Sequence, residues 1–350
     1  MASFNQSETN VSDSTSCDLV DTSAHLFFML VYSLVFLVGL LLNGFTLKVY
    51  FCRAQLQTSS SITVYLKNLA AADFLISLCL PIRIFNYASS SVPVHWLYCT
   101  FGASAFYLNM YASILFMGYI AANRYLKIVH PLGTHVLQTV RAAYIISTVT
   151  WVLLLTTAST YVLLSLLTQE TLVSVPKMVS CDPLHSKQLS LLYKVIHTCS
   201  AAVFLLVLVS LVFFYYSTSR RLALAQKRYP LSSGSTKLTK SRRNMLVLVS
   251  VFSVCFIPYH LVRLPYAFSN SWCSWSHVFL YLKELTIMVS VLNVCLDPLL
   301  YFIFCKAFRA QLRVRRVVSS TQVNTERRSS VGRTSSIKIK QIPIMQTSVL

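Results

Sequence analysis

Apolar positions along the chain come in blocks rather than in alternation. HLFFMLVYSLVFLVGLLLNGFTL, WVLLLTTASTYVLLSLL and the adjoining runs AAVFLLVLV and SLVFFYY are at or near the length that crosses a ~30 Å hydrocarbon core as helix. Seven such blocks are predicted as spans: Leu26–Phe51, Ile62–Tyr87, Trp96–Ile128, Ala142–Leu167, Leu191–Tyr216, Met245–Ala267 and His277–Phe304. The runs are unbroken, whereas the strands of a membrane barrel alternate lipid-facing with lumen-facing residues, so helices are expected. One such run is consistent with a buried core helix. Seven in succession, with short polar gaps, read as an integral membrane protein. The expected fold is an all-α seven-transmembrane helix bundle, residues 25–304, after an extracellular amino terminus, 1–24. An amphipathic cytosolic helix is expected at 305–316, where CKAFRAQLRVRRV sets Phe308 and Leu312 on one face and arginines on others. A disordered cytosolic tail, 317–350, rich in Ser, Thr and Arg, is expected to follow.

Composition agrees with the blocks. Of 350 residues 55% are hydrophobic and 11% charged, where a soluble domain has about a quarter charged. The net charge of +20 raises the possibility of nucleic-acid binding, but its distribution points elsewhere. Arg220, Arg221, Lys227, Arg228, Lys237, Lys240, Arg242 and Arg243 crowd the fifth gap, and more basic residues fill the tail. The amino terminus is acidic (Glu8, Asp13, Asp18, Asp21). The positive-inside rule then sets the amino terminus outside and the tail in the cytosol, with the basic loops facing anionic membrane lipid. No basic segment precedes the first apolar run, so no signal peptide is expected. Asn5 and Asn10 begin glycosylation sequons in that exposed segment. The terminal Ser348-Val349-Leu350 fits a strand-adding PDZ-domain partner, and the tail hydroxyls fit phosphorylation. Four of the 10 cysteines, Cys17, Cys99, Cys181 and Cys273, fall on the oxidising outer side. Four allow three pairings, and spacing does not choose among them.

Polar residues inside apolar runs are costly, and here they are specific in order. Asn43 lies in the first span, Asp73 in the second, and Asn123-Arg124-Tyr125 closes the third. Trp151 follows in the fourth, Pro258 in the sixth, and Asn293 with Asp297-Pro298 in the seventh. The stretch FIPYHLVRLPYAF carries His260, Arg263 and Tyr266 at spacings of three, hence near one helical face. Pro258 is expected to kink this helix and turn the face inward. A lipid-facing arginine costs several kcal/mol, so a water-filled cavity and an anionic ligand explain Arg263 at lower cost. Snorkelling to the outer headgroups and pairing with Glu284 are the alternatives. His185, Lys187, Lys194 and Lys283 are expected at the same mouth.

In this order the motifs resemble the rhodopsin-like (class A) G-protein-coupled receptors from about residue 24 to 316. Phe106-Tyr107-Leu108-Asn109-Met110-Tyr111, Phe256 through Arg263, Lys283-Glu284-Leu285-Thr286 and Asn293 through Pro298 resemble, more narrowly, the purinergic receptors for ADP and UDP-sugars. That resemblance implies disulfides Cys99–Cys181 and Cys17–Cys273. It implies phosphate binding by His260, Arg263 and Lys283, base stacking on Tyr107, and a pocket completed by Tyr111 and Tyr266. It implies a sodium pocket at Asp73, Asn109, Ser113, Asn293 and Asp297, and outward movement of the sixth span about Pro258. The implied partners are a heterotrimeric G protein, of the inhibitory class, and arrestin, at the plasma membrane. Asn123 replaces the usual acid beside Arg124, and KLTKSRRNML offers none, so hydroxyls or carbonyls must hold Arg124. Tyr215 and Tyr301 are expected to engage it when the helices rearrange.

A nucleotide or nucleotide sugar is the first expected ligand. Lysophospholipids and cysteinyl leukotrienes, bound by neighbouring receptors, also carry anionic heads. A closed aromatic cup would favour the nucleotide, and an apolar tunnel from Arg263 to the bilayer would favour the lipid. Seven glycines and no internal repeat give a transporter little support, and no hydrolytic constellation supports an enzyme.

Overall fold

In the computed structural model the described residues are 23–52, 60–89, 91–129, 135–168, 181, 184–228, 233–268 and 273–304. Helices α1 (Ser23–Cys52) and α2 (Ser61–Ala88) form the first two spans. The third is composite: α3 (Val92–Leu97), a π-helical turn (Tyr98–Gly102) and α4 (Ala103–Val129). Then come α5 (Val140–Leu167), α6 (Lys187–Arg228) and α7 (Ser233–Phe268). The seventh span is α8 (Cys273–Val291) followed by α9 (Asn293–Phe304). Seven helical stretches are long and apolar enough to cross a membrane, in the predicted order, and no strand occurs among the described residues. Helices α6 and α7 outrun their apolar blocks, because polar residues beyond the hydrocarbon still continue the backbone hydrogen-bond ladder. Cys17, Asn5, Asn10, the helix expected at 305–316 and the tail lie outside the described residues, as does the side chain of Cys273.

The third span is the most buried and the fourth the least. Phe106, Met110, Ser113, Met117 and Ile120 repeat at three- and four-residue spacing along α4 and are all buried. α4 packs against α2, α5, α6 and α7, and α1 closes the ring against α2 and α9. On α5 the outward positions are apolar, Leu153 being 62% exposed, as a lipid-facing surface requires.

Prolines locate the polar joints. α7 remains helical through Pro258 and Pro265. In α9, Pro298 has no N–H to give the carbonyl of Val294 one turn back. Asn43 of α1 supplies it instead: its Nδ2 donates to Val294 O at 2.9 Å and to Gly39 O at 3.1 Å. Gly39 permits the approach, since a Cβ there would stand 2.5 Å from Val294 Cγ1 and 2.7 Å from Ser77 Oγ. Just before, i to i−3 bonds around Leu292 (Leu292 N to Val289 O, 3.2 Å; Cys295 N to Leu292 O, 3.0 Å) separate α8 from α9.

Asn43→Ala should therefore strand a buried carbonyl and cost about 1–3 kcal/mol. Thermal unfolding of the purified receptor checks this: a melting temperature lowered by several degrees is expected, and an unchanged one would remove Asn43 from its bridging role.

Candidate functional site

A cavity of about 730 Å³ opens in the outer half of the bundle and is lined as deep as Tyr119 and Ile145, in the cytosolic halves of α4 and α5. Its mouth is built around two cations on neighbouring helices. Arg263, 7% exposed, projects from α7 into a cage of rings, its guanidinium 5.2 Å from the centroids of Tyr107 and Tyr193 and 5.6 Å from Tyr266. Its Nη2 donates to Nε2 of His197 at 3.3 Å. Lys283 of α8 sits 4.7 Å from the ring of Tyr266 and 3.4 Å from Oε1 of Glu284. Ring faces carry partial negative charge, so such cages hold a cation at modest desolvation cost.

Glu284 is the centre of a buried network. Its Oε2 accepts from Arg83 of α2 and from the hydroxyl of Tyr87. Arg83, 3% exposed, also lies 5.0 Å from the ring of Tyr32 and 5.6 Å from those of Tyr98 and Phe106. Glu284 thus serves two cations, Arg83 and Lys283, rather than Arg263. Such a group is tolerated in low dielectric only with several charged or hydrogen-bonding partners, which this carboxylate has.

The positions expected at the mouth divide. Tyr107, Tyr111, His185, Arg263, Tyr266 and Lys283 all line the cavity. His185 is held by Tyr161, Nε2 to hydroxyl 2.9 Å. His260 is not among the lining residues: its ring stacks on Phe204, centroids 3.8 Å apart, and Nδ1 donates to Phe256 O at 2.9 Å. Its Nε2 is left to accept from the hydroxyl of Tyr111 at 3.2 Å. One turn of helix below Arg263, it braces a cavity wall rather than forming one. Lys187 is exposed at the start of α6, and Lys194 lies 5.9 Å from the ring of Phe268; neither lines the cavity. Arg83, Tyr98 and Tyr193 were not anticipated. An arginine inside LISLCLPIRIFNY was the available signal for the first; the tyrosines carried none.

A disulfide joins Cys99 of the π-helical turn to Cys181, Cα atoms 5.5 Å apart, and so ties the segment carrying His185 to the third span. From the mouth the cavity continues as an apolar branch along the seam of α4, α5 and α6, past Leu115, Val149 and Val203. It is both an aromatic cup and an apolar slot.

Deeper in the bundle, the Asp73 carboxylate accepts from Ser113 Oγ at 3.0 Å and from the Tyr301 hydroxyl at 2.7 Å. Asp297 lies against Asp73, and neither of its oxygens receives a hydrogen bond from a described donor. The side-chain amide of Asn293 likewise finds no partner among the described residues. Asn109 turns to its own helix, Nδ2 donating to Ala105 O at 2.7 Å, with Oδ1 left over. Two buried carboxyl groups, Asp297 with both oxygens lacking a described donor, beside hydroxyl and amide oxygens are a donor set that fits a small hard cation.

At the cytosolic end Arg124 donates to Phe304 O at 3.2 Å and stacks on its ring at 4.7 Å, while Asn123 Nδ2 donates to Ser61 Oγ at 2.8 Å. Tyr301 is committed to Asp73, and Tyr215 is half-buried in α6.

Comparison with known proteins supplies the rest. The description "7 transmembrane receptor (rhodopsin family)" matches residues 42–301. Purinoceptor 14 of Bos taurus is 34% identical over 91% of this chain and 91% of its own length. Purinoceptor 13 of Homo sapiens is 32% identical over 93% and 90%, and G-protein coupled receptor 87 of Mus musculus 31% over 90% and 85%. With seven apolar helices, an outer ligand-sized cavity and these relatives, the chain belongs to the rhodopsin family of seven-transmembrane G-protein-coupled receptors, multi-pass proteins of the plasma membrane that transduce an extracellular signal rather than catalyse a reaction.

Proposed function

We propose that this receptor responds to an extracellular nucleotide or nucleotide sugar. The observation that carries the reading is the convergence of Arg263 and Lys283 on one cavity whose mouth is walled by Tyr107, Tyr193 and Tyr266. Cations at the mouth suit phosphate oxygens, and the rings suit a base. Similarity to two relatives named as purinoceptors supports the same reading. His260 acts here as a positioning residue, holding Tyr111 from behind. A ligand drawing Arg263 toward Lys283 pulls the outer end of α7 toward α8. If that arrangement matches the form whose cytosolic end is open, binding shifts the population toward it. Coupling to the inhibitory G-protein class and recruitment of arrestin rest on the resemblance, and a PDZ-domain partner on the terminal residues. An anionic lipid, a lysophospholipid or cysteinyl leukotriene, is the second reading, favoured by the apolar branch of the cavity.

Arg263→Ala and Lys283→Ala are each expected to lower agonist potency about ten- to a hundredfold, from loss of a charge-assisted contact worth roughly 1.5–3 kcal/mol. Surface expression should persist, since Glu284 retains Arg83 in the Lys283 variant. G-protein dissociation assays with a panel of nucleoside diphosphates and UDP-sugars measure it; normal potency in both variants would end the anionic-pocket reading. Tyr107→Ala should weaken binding more than Tyr107→Phe, which keeps the ring.

Sodium at Asp73 and Asp297 should oppose agonist by linkage, an ion favouring the closed form weakening a ligand that favours the open one. Agonist affinity is expected to be lower in sodium chloride than in N-methylglucamine chloride of equal ionic strength, and Asp73→Asn should abolish the difference. Equal wild-type affinities would exclude the ion site.

A further inference from the structure

At the mouth of the cavity one side chain fixes the state of another. Arg263 Nη2 stands 3.3 Å from Nε2 of His197 on α6. A guanidinium only donates, so Nε2 must be the lone-pair nitrogen of a neutral imidazole whose proton sits on Nδ1. His197 is buried, yet it lines the cavity together with Arg263. Two tyrosine rings fix its plane edge-on, Tyr193 of α6 at 4.3 Å and Tyr107 of α4 at 5.7 Å between centroids. The charges that reach it are those of Arg263 and His260 on α7 and of His185, which lies on the far side of Tyr193. From α8, Lys283 and Glu284 line the same cavity. Glu284 is the acid among the described lining residues, and it is committed to Arg83 and Lys283. In this arrangement a proton added at Nε2 would point at a guanidinium, with the cavity's acid engaged elsewhere.

An anion at Arg263 reverses that balance. Its oxygens take over the hydrogen bond from Nη2, and Nε2 loses the donor it served. The ring, protonated from the solvent at the mouth, then donates Nε2–H to the same anion. An oxyanion between an imidazolium and a guanidinium receives charge-assisted bonds from both. Histidine is the side chain suited to gaining a charge in this way near neutral pH.

We propose that His197 is a ligand-binding residue of this site, exchanging its hydrogen bond from Arg263 for one to the ligand's phosphate and taking up one proton from solvent as it does so. This deepens the reading of Arg263 as the phosphate contact and rests on it. The bound form then holds one more proton than the free form, so proton and anion favour each other and affinity rises as pH falls.

The test uses the full-length receptor in nanodiscs, with UDP-glucose and inorganic sulfate as probes. Neither carries a group that titrates near neutral pH, so a pH dependence belongs to the protein. Wild-type affinity for UDP-glucose is expected to rise roughly three- to tenfold from about pH 7.5 to about pH 6. His197→Gln, whose amide oxygen can still accept from Arg263, should flatten this profile, whereas His185→Gln should keep the slope whatever it does to affinity. A residue that merely packs would shift affinity equally at both pH values. In receptor isotope-labelled at histidine Cε1, the magnetic-resonance signal missing from His197→Gln should move toward the imidazolium position when either anion is added. A His197 signal unmoved by both anions overturns the proposal, and so does an equal slope in wild type and His197→Gln. UDP-glucose binding that is firm but independent of pH overturns it while leaving the nucleotide reading in place. If UDP-glucose does not bind and sulfate still drives His197 to the imidazolium, the nucleotide reading fails and this one stands.

Discussion

Hydrocarbon offers no hydrogen bonds, so the polar groups in the bundle need partners within the protein or in a bound ion or ligand. That constraint organises the molecule. Helices meet it for the backbone, and each proline that breaks the ladder demands a local repair. The repair at Pro298 comes from Asn43, 251 residues from the carbonyl it serves, and it welds α1 to α9. Gly39 supplies the close approach that the bond needs. The same logic collects the remaining polar side chains along the bundle's interior, which is why its chemistry reads as a chain of inward sites at three depths.

At the outer depth the constraint is electrostatic. Glu284 stabilises two cations and is stabilised by them, so the network has little tolerance for losing its acid. Arg263 stands among tyrosine rings and a histidine, an environment that keeps a guanidinium oriented while leaving ring surface around it for a ligand. The mouth therefore combines a fixed ionic frame, on α2 and α8, with a recognition arginine on α7. Ligand recognition and helix position are joined because the arginine belongs to a helix that reaches the cytosol.

At the cytosolic depth the usual acid beside the arginine is missing. The carbonyl and the aromatic face of Phe304 hold Arg124 instead. Asn123 turns away to Ser61, fastening the foot of α4 to the start of α2. The middle depth, around Asp73, connects α2, α4 and α9 through Ser113 and Tyr301. Tyr301 is thereby occupied at Asp73 in this arrangement, and it could reach Arg124 only after that bond breaks.

The helices, their number, their order and their orientation were legible in the sequence because each depends on local properties: run length, period and flanking charge. So was the inward turn of Arg263, since an arginine in an apolar run has few places to go. Pairings between helices were not legible. Glu284 lies beside Lys283 in the chain, but its second cation, Arg83, is 201 residues away, and only the tertiary arrangement that brings these side chains of α2 and α8 together decides that match. His260 shares a helical face with Arg263 at a spacing of three, yet the packing of α6 places Phe204 over its ring and moves it behind the cavity wall. The seam between α5 and α6 is the extreme case. Its residues are ordinary lipid-facing apolar positions in sequence, and whether they enclose a slot depends on how closely two neighbouring helices pack, a property that no single helix carries.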